Sequence, residues 1–200
     1  MQRDQQKKQA KRALRRSTIA AILALEPARR SLQEAQLLQS LATLPGYPEA
    51  QTVLFYVKAF AEELDTRPLM LEAKGTGKRV LCPRVDRAEH RLGLCEIQSL
   101  AHDLEPGILG IPEPRRGCTE VEPLEVDWAL IPGLAFDLQC YRLGRGGGHY
   151  DRLLPLMRAQ TPCWALAFDC QIVPHLPIEP HDARLGGIAT PSRMITRGLQ

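Results

Sequence analysis

Aromatic side chains are scarce in this sequence, at 5% of 200 residues, and none is interleaved with the basic residues of its first 16 positions. That argues against a single-stranded nucleic-acid binder, which stacks bases on aromatic platforms set in a basic groove. Long apolar runs are also missing. Nothing approaches the ~20 apolar residues of a membrane span. The apolar run Thr18–Leu25 follows a basic stretch, but it comes late and meets Glu26-Pro27, a poor cleavage region, so neither a signal nor a transit peptide is expected. The six cysteines, Cys82, Cys95, Cys118, Cys140, Cys163 and Cys170, include no Cys-x-x-Cys pair and no repeated Cys/His spacing, which excludes the usual zinc modules. A disulfide framework is equally out of place in a chain of this size without a secretion signal. Most of these thiols are expected to be buried as small apolar groups. There is no internal repeat, low-complexity tract or clear linker, and no local Ser-His-Asp or Cys-His arrangement to suggest covalent catalysis. The expectation is a cytoplasmic protein with no membrane or nucleic-acid partner.

Net charge is small, +3, but unevenly distributed. Residues 1–16 hold seven Lys or Arg and one Asp, leaving the remainder with nineteen basic and twenty-two acidic residues. Such an arm is either a solvated helix face or a surface for anions. A hydrophobic share of 44% over 200 residues is enough for one full core. The expected organisation is a single domain over residues 1–200, a helical region at 1–45 followed by an α/β core at 50–190.

Periodicity supplies the elements. Ala10, Leu14, Ser17 and Ala21 lie at helical spacing, predicting a helix over the first ~25 residues that Pro27 ends. Ser31-Leu32-Gln33-Glu34 has the form of a capping box and predicts a second helix from Ser31 to Pro45-Gly46. Short apolar runs at 52–57, 79–83, 127–131 and 164–168 read as strands buried on both faces. A helix over 67–73 lies between the first two, and another runs from Tyr150 to Met157. The alternation predicts a three-layer α/β sandwich with a mainly parallel central sheet and helices on both faces. Residues 84–126, dense in Pro and Gly, read as loops. Ligands of such sheets gather at the carboxyl ends of strands, here beyond Tyr56 and Ile131.

The most informative segment is Arg142-Leu143-Gly144-Arg145-Gly146-Gly147-Gly148-His149-Tyr150-Asp151. Four glycines in five positions free the backbone to turn its N–H groups toward one point, while Arg142 and Arg145 add positive charge. An oxyanion is the natural guest. The segment is not a P-loop, since it lacks the Lys-Ser/Thr ending, and it does not fit the dinucleotide fingerprint. With Asp127–Asp137 just upstream, it resembles the signature of the 5-formyltetrahydrofolate cyclo-ligase family, also called methenyltetrahydrofolate synthetases. Lys11–Arg15, Glu63-Leu64-Asp65-Thr66, Gly110–Pro114, Ala167-Phe168, Gln171–Val173, Leu176-Pro177 and His181-Asp182 fit the same family in order. Three positions depart from it: Cys140 stands where the family has glycine, His149 where it has tyrosine, and Pro191 where it has glutamate. A positive φ at Cys140 would carry strain on the order of 1 kcal/mol.

The resemblance implies the ATP-dependent conversion of 5-formyltetrahydrofolate to 5,10-methenyltetrahydrofolate, with release of ADP and phosphate. The implied ATP contacts are Lys11, Arg12, Arg15, Arg142, Leu143, Gly144, Arg145, Gly146, Gly147, Gly148, His149 and Tyr150. Arg145 and Asp151 are the implied catalytic pair. Asp151 and Asp182 would hold Mg2+, which takes one or two carboxylates beside phosphate oxygens; the plainer readings are a helix cap and a surface acid. Glu63 can accept paired N–H bonds from a pterin edge, or be a solvated acid. Lys58 meets the folate's glutamate tail, with or without further glutamates, or coats the surface. Arg145, Gly146, Gly147, Gly148 and His149 complete the substrate side. A monomer is expected. The alternative is a nucleotide-binding protein of the same fold without turnover.

Overall fold

A computed structural model of the protein describes residues 2–86, 89, 91–107 and 110–197. Residues 87, 88, 90, 108 and 109, which belong to the stretch read as loops, lie outside the described residues. Helix α1, Gln2–Leu23, is followed directly by α2, Pro27–Ser40. Pro27 therefore starts the second helix instead of merely ending the first. At the first helical position its missing N–H has no partner to lose and its fixed φ is already helical. Glu26 caps the helix, accepting hydrogen bonds from Ala28 N (3.1 Å) and Arg29 N (2.9 Å). The expected capping box at Ser31 is not used, and Glu34 pairs with Arg30 one turn back at 2.9 Å.

The strands are β1 Thr52–Leu54, β2 Arg79–Asp86, β3 Arg91–Glu96, β4 Leu104–Pro106, β5 Pro112–Pro114, β6 Glu120–Val121 and β7 Trp128–Leu130. They continue with β8 Ala135–Asp137, β9 Arg142–Leu143, β10 Cys163–Leu166, β11 Ile172–Val173, β12 Gly187–Ala189 and β13 Met194–Thr196. Helix α3, Arg67–Gly75, crosses from β1 to β2. The large sheet has the order β13-β12-β10-β7-β1-β2-β3-β6. Its interior, from β12 to β2, is parallel, while β13 pairs antiparallel with β12 at one end and, at the other, β3 pairs antiparallel with β2 and β6 with β3. Residues 84–126 thus contain strands that the Pro and Gly density concealed: β2 runs on to Asp86, and β3 returns against it. β8, β9 and β11 form a separate three-stranded sheet.

Alternation along the parallel strands divides the core into two layers. Val53, Phe55, Val80, Cys82, Trp128, Leu130, Trp164 and Leu166 face Ile22 of α1, Leu37 of α2 and Leu69, Met70 and Ala73 of α3. Leu54, Leu81, Ala129, Ile131, Ala165 and Ala167 face the other way, onto Leu153 and Met157. Leu153 ends helix α4, His149–Leu153, which gives way to a 3-10 turn at Leu154–Leu156. The helix expected to reach Met157 is cut short because Pro155 has no N–H to continue the ladder. The result is the expected three-layer arrangement with helices on both faces of a mostly parallel sheet. Among the described residues, no helix is long and apolar enough to cross a membrane.

Candidate active site

The carboxyl ends of β1, β2 and β7 open onto a cleft of about 480 Å³. Tyr56, Phe60 and Glu63 enter it after β1, Pro83 and Val85 from β2, and Pro132, Gly133 and Leu134 after β7. Lys8, Lys11 and Arg15 of α1, the 142–151 segment, and Glu179, His181 and Asp182 close the remaining sides. Six stretches of the chain thus share one concavity.

Local chemistry explains how the glycine segment is aimed. Asp137, 2% exposed, accepts the N–H groups of Gln139 and Tyr141 on Oδ1 (both 3.0 Å) and that of Leu176 on Oδ2 (3.2 Å). This carboxylate builds the turn before Arg142. Cys140 lies within it at φ 64°, the one non-glycine residue with positive φ among those described, so the strain expected of this substitution is real. Its side chain is fully buried. Burial raises the thiol's pKa. Gly133 has a different reason to be glycine: a Cβ there would come within 2.6 Å of the Phe136 ring.

Within the segment, Gly146 and Gly148 adopt φ of 109° and 64°, and Gly148 leads into α4. A Cβ on Gly147 would reach 2.7 Å from the His149 ring. The loop is therefore bare on its inner side, and the guanidinium of Arg15 closes over it, donating to Gly144 O at 2.8 Å. Arg142 is almost entirely buried. Its Nη2 donates to Asp151 Oδ1 at 2.9 Å, but its Nε is buried without a partner among the described residues. Burial works to lower its pKa, and the carboxylate of Asp151 opposes this. Arg145 is held differently. Nη2 donates to Glu62 Oε1 (2.7 Å) and Glu63 Oε1 (3.2 Å), and the guanidinium lies 3.4 Å from the centre of the Phe60 ring.

On the opposite wall, Lys11 Nζ reaches Glu179 Oε2 (2.6 Å) and Asp182 Oδ2 (2.9 Å). Burial disfavours the ammonium, but the two carboxylates outweigh it and hold its pKa above the ordinary value. Asp182 Oδ2 also accepts the Glu179 N–H at 2.8 Å. Asp151 takes a second hydrogen bond, from Ala183 N at 3.3 Å, also on Oδ1. Oδ2 of Asp151 is then the atom that could meet a cation. Glu179, His181 and Asp182 each place a ligand atom within 4.8 Å of the others; the two carboxylates are the oxygen donors a hard cation takes beside water and phosphate oxygens, whereas the imidazole is not. Burial of Tyr56 and Tyr150 raises both phenol pKa values well above the ordinary range, so both remain neutral hydrogen-bonding groups.

Of the residues singled out in the sequence, Lys11, Arg15, Glu63, Arg142, the 143–150 stretch, Asp151 and Asp182 all line the cleft. Arg12 and Lys58 do not. Arg12 is exposed on the outer side of α1, since adjacent helical residues point some 100° apart and Lys11 already faces inward. Glu62, Glu179, Tyr56 and Phe60 were not singled out. Glu62 gives no signal beside its like neighbour Glu63, whereas the Glu179-Pro180-His181-Asp182 cluster could have extended the reading from Asp182.

Comparison with known proteins agrees with the geometry. A model of the 5-formyltetrahydrofolate cyclo-ligase family matches residues 7–191. The Escherichia coli (strain K12) 5-formyltetrahydrofolate cyclo-ligase is 34% identical over 177 residues, covering 86% of this chain and 94% of that protein. The mouse protein of the same name is 27% identical, covering 88% and 91%. Among solved structures, Aquifex aeolicus 5,10-methenyltetrahydrofolate synthetase superposes with a TM-score of 0.80 at 28% identity, covering 94% of this chain and 92% of that one. The Mycoplasma pneumoniae 5,10-methenyltetrahydrofolate synthetase shares the fold, with a TM-score of 0.71. With the match extending from the basic face of α1 past Asp182, the chain belongs to the 5-formyltetrahydrofolate cyclo-ligase family.

Proposed function

We propose that this protein closes the imidazoline ring of 5-formyltetrahydrofolate at the expense of ATP, giving 5,10-methenyltetrahydrofolate, ADP and phosphate. The observation that carries the reading is a single cleft with two kinds of lining. Lys11, Arg15, Arg142 and the bare amides of 146–148 supply positive charge and donors, while Tyr56, Phe60, Val85, Leu92, Ile111 and Leu134 supply apolar surface. A phosphate chain suits the first and a flat folate ring the second.

The chemical obstacle is the formyl oxygen, an amide-type oxygen that leaves poorly. Transfer of the γ-phosphoryl group to it, with cleavage of the bond to ADP, converts it to a leaving group. N10 then attacks the formyl carbon and loses its proton, and the C–O bond breaks to release phosphate. The protein contributes position and charge compensation, not a nucleophile. Arg142 and the glycine amides hold the β- and γ-phosphates, Arg15 and Lys11 cover them from α1, and Arg145 follows the transferring group. Magnesium suits the site on its donor set, with Asp151 and Asp182 as its carboxylates; when bound it would neutralise phosphate charge. Glu63, its Oε2 fixed by the amides of Ala59 (2.8 Å) and Phe60 (3.3 Å), presents Oε1 to the aminopyrimidine edge. The apolar wall excludes water, which would otherwise hydrolyse the phosphorylated intermediate.

The test is the appearance of the methenyl-folate chromophore when 5-formyltetrahydrofolate, magnesium and ATP are mixed with the protein, beside an Asp151→Asn variant. A signal that requires ATP and disappears in the variant supports both reaction and metal assignment. No signal with ATP still bound would leave only nucleotide binding.

A further inference from the structure

The Arg145 guanidinium is planar, donates N–H groups to the Glu63 carboxylate and lies on the face of an aromatic ring. An aminopyrimidine offers the same three properties. The arginine shows all three here: it is stacked 3.4 Å from the Phe60 centroid and bonded to both Glu62, whose side chain is 8% exposed, and Glu63, at 17%. Glu63 cannot turn aside to serve a second partner, because its other oxygen is fixed by two backbone amides. Arginine and an incoming ring must therefore compete for the same oxygen and the same ring face.

We infer that Arg145 is an internal stand-in for the substrate's ring, occupying the Phe60–Glu63 subsite until a planar, donor-bearing heterocycle displaces it. The inference rests on the assignment of that subsite to the folate ring. Its mechanical basis is in the loop. Arg145 lies between Gly144 and Gly146, the latter at φ 109°, so its backbone can swing without moving the strand or helix on either side. The same loop runs past Arg15 and Arg142, whose buried Nε has no partner among the described residues. A displaced guanidinium can thus leave the carboxylates for the cationic part of the cleft, where charge in transfer needs it. Ring binding then completes the phosphate site, and phosphate binding, by drawing Arg145 away, uncovers the ring subsite. Each ligand raises the affinity for the other by the same factor. Glu62 gains a role: with no ring bound it retrieves the guanidinium, which also helps expel the product.

The experiment is calorimetric titration of 5-formyltetrahydrofolate into the wild type, Arg145→Ala and the double variant Arg145→Ala/Glu63→Gln. Each is titrated alone and with saturating magnesium and a non-hydrolysable ATP analogue. Without nucleotide, Arg145→Ala should bind the folate at least about fivefold more tightly than the wild type, the lower end of ordinary coupling. The gain that nucleotide gives the wild type should vanish in it, while turnover falls. Tightening cannot arise from a damaged fold. Equal or weaker folate binding by Arg145→Ala without nucleotide overturns the inference. The double variant isolates the ring contact, since no guanidinium is left to release. If it binds folate as well as Arg145→Ala does, the assignment of the ring to Glu63 fails, and the inference with it.

Discussion

At Cys140 the usual ranking of two small residues should invert. Alanine ordinarily stabilises relative to glycine because it has less backbone freedom to lose on folding. At φ 64° that ordering reverses, since any Cβ is strained there and glycine's is absent. We expect Cys140→Gly to be more stable than Cys140→Ala by about 1 kcal/mol, read from urea midpoints. The two variants lose the same thiol, so the comparison isolates the backbone. Gly147 supplies the complementary case, in which space is limiting. Gly147→Ala would force a Cβ toward the His149 ring at 2.7 Å, so the ring must give way. The expected outcome is an unchanged melting temperature and a loss of activity of roughly tenfold or more, since small misplacements near reacting groups are costly. Why the residue scale was only partly legible follows from such contacts. The glycines of 144–148 announce a bare loop in any sequence. That Glu62 is buried against Arg145 depends on a side chain 83 positions away and leaves no trace in its own neighbourhood.

Elements were legible where burial wrote a run or a period. β1, β2, β7 and β10 are apolar because both faces are covered, and α1 and α3 carry helical spacing. Two-residue strands such as β9 and β11 are too short for any periodicity. β4 and β5 carry prolines, which their two-stranded sheet tolerates because a missing N–H costs little there. Glu26 shows how a cap couples an element to pH. Hydrogen bonds from the Ala28 and Arg29 amides depress its carboxyl pKa below the ordinary 4.5. The folded value lies below the unfolded one, so the cap's contribution is complete above the unfolded pKa and is lost as pH falls through the folded one. Glu26→Gln should flatten the acid limb of stability below about pH 5 and leave the neutral-to-alkaline side parallel to the wild type, as urea midpoints against pH would show. An acid limb of unchanged slope would remove Glu26 from the account.

At the scale of the molecule, the thiols report how the core is closed. Cys82, Cys95 and Cys140 are buried, and Cys163, largely out of solvent, has its pKa pushed up to about 12. Only the thiolate reacts, so iodoacetamide at neutral pH should label Cys118 first and leave these four until the protein unfolds. Peptide mapping of the native and denatured protein decides the matter, and rapid labelling of Cys82 or Cys140 in the native state would contradict the packing. The overall architecture was the most legible level, because alternating helices and buried strands admit few arrangements. Lys11 spans 168 positions to reach Glu179 and 171 to reach Asp182, fastening α1 to a segment far along the sequence. During synthesis, then, the basic helix waits for its partners until residue 182 has left the ribosome. A nascent chain halted before residue 182 lacks a wall of the cleft, so ligand capture would distinguish chains that extend past that residue from those that stop short of it.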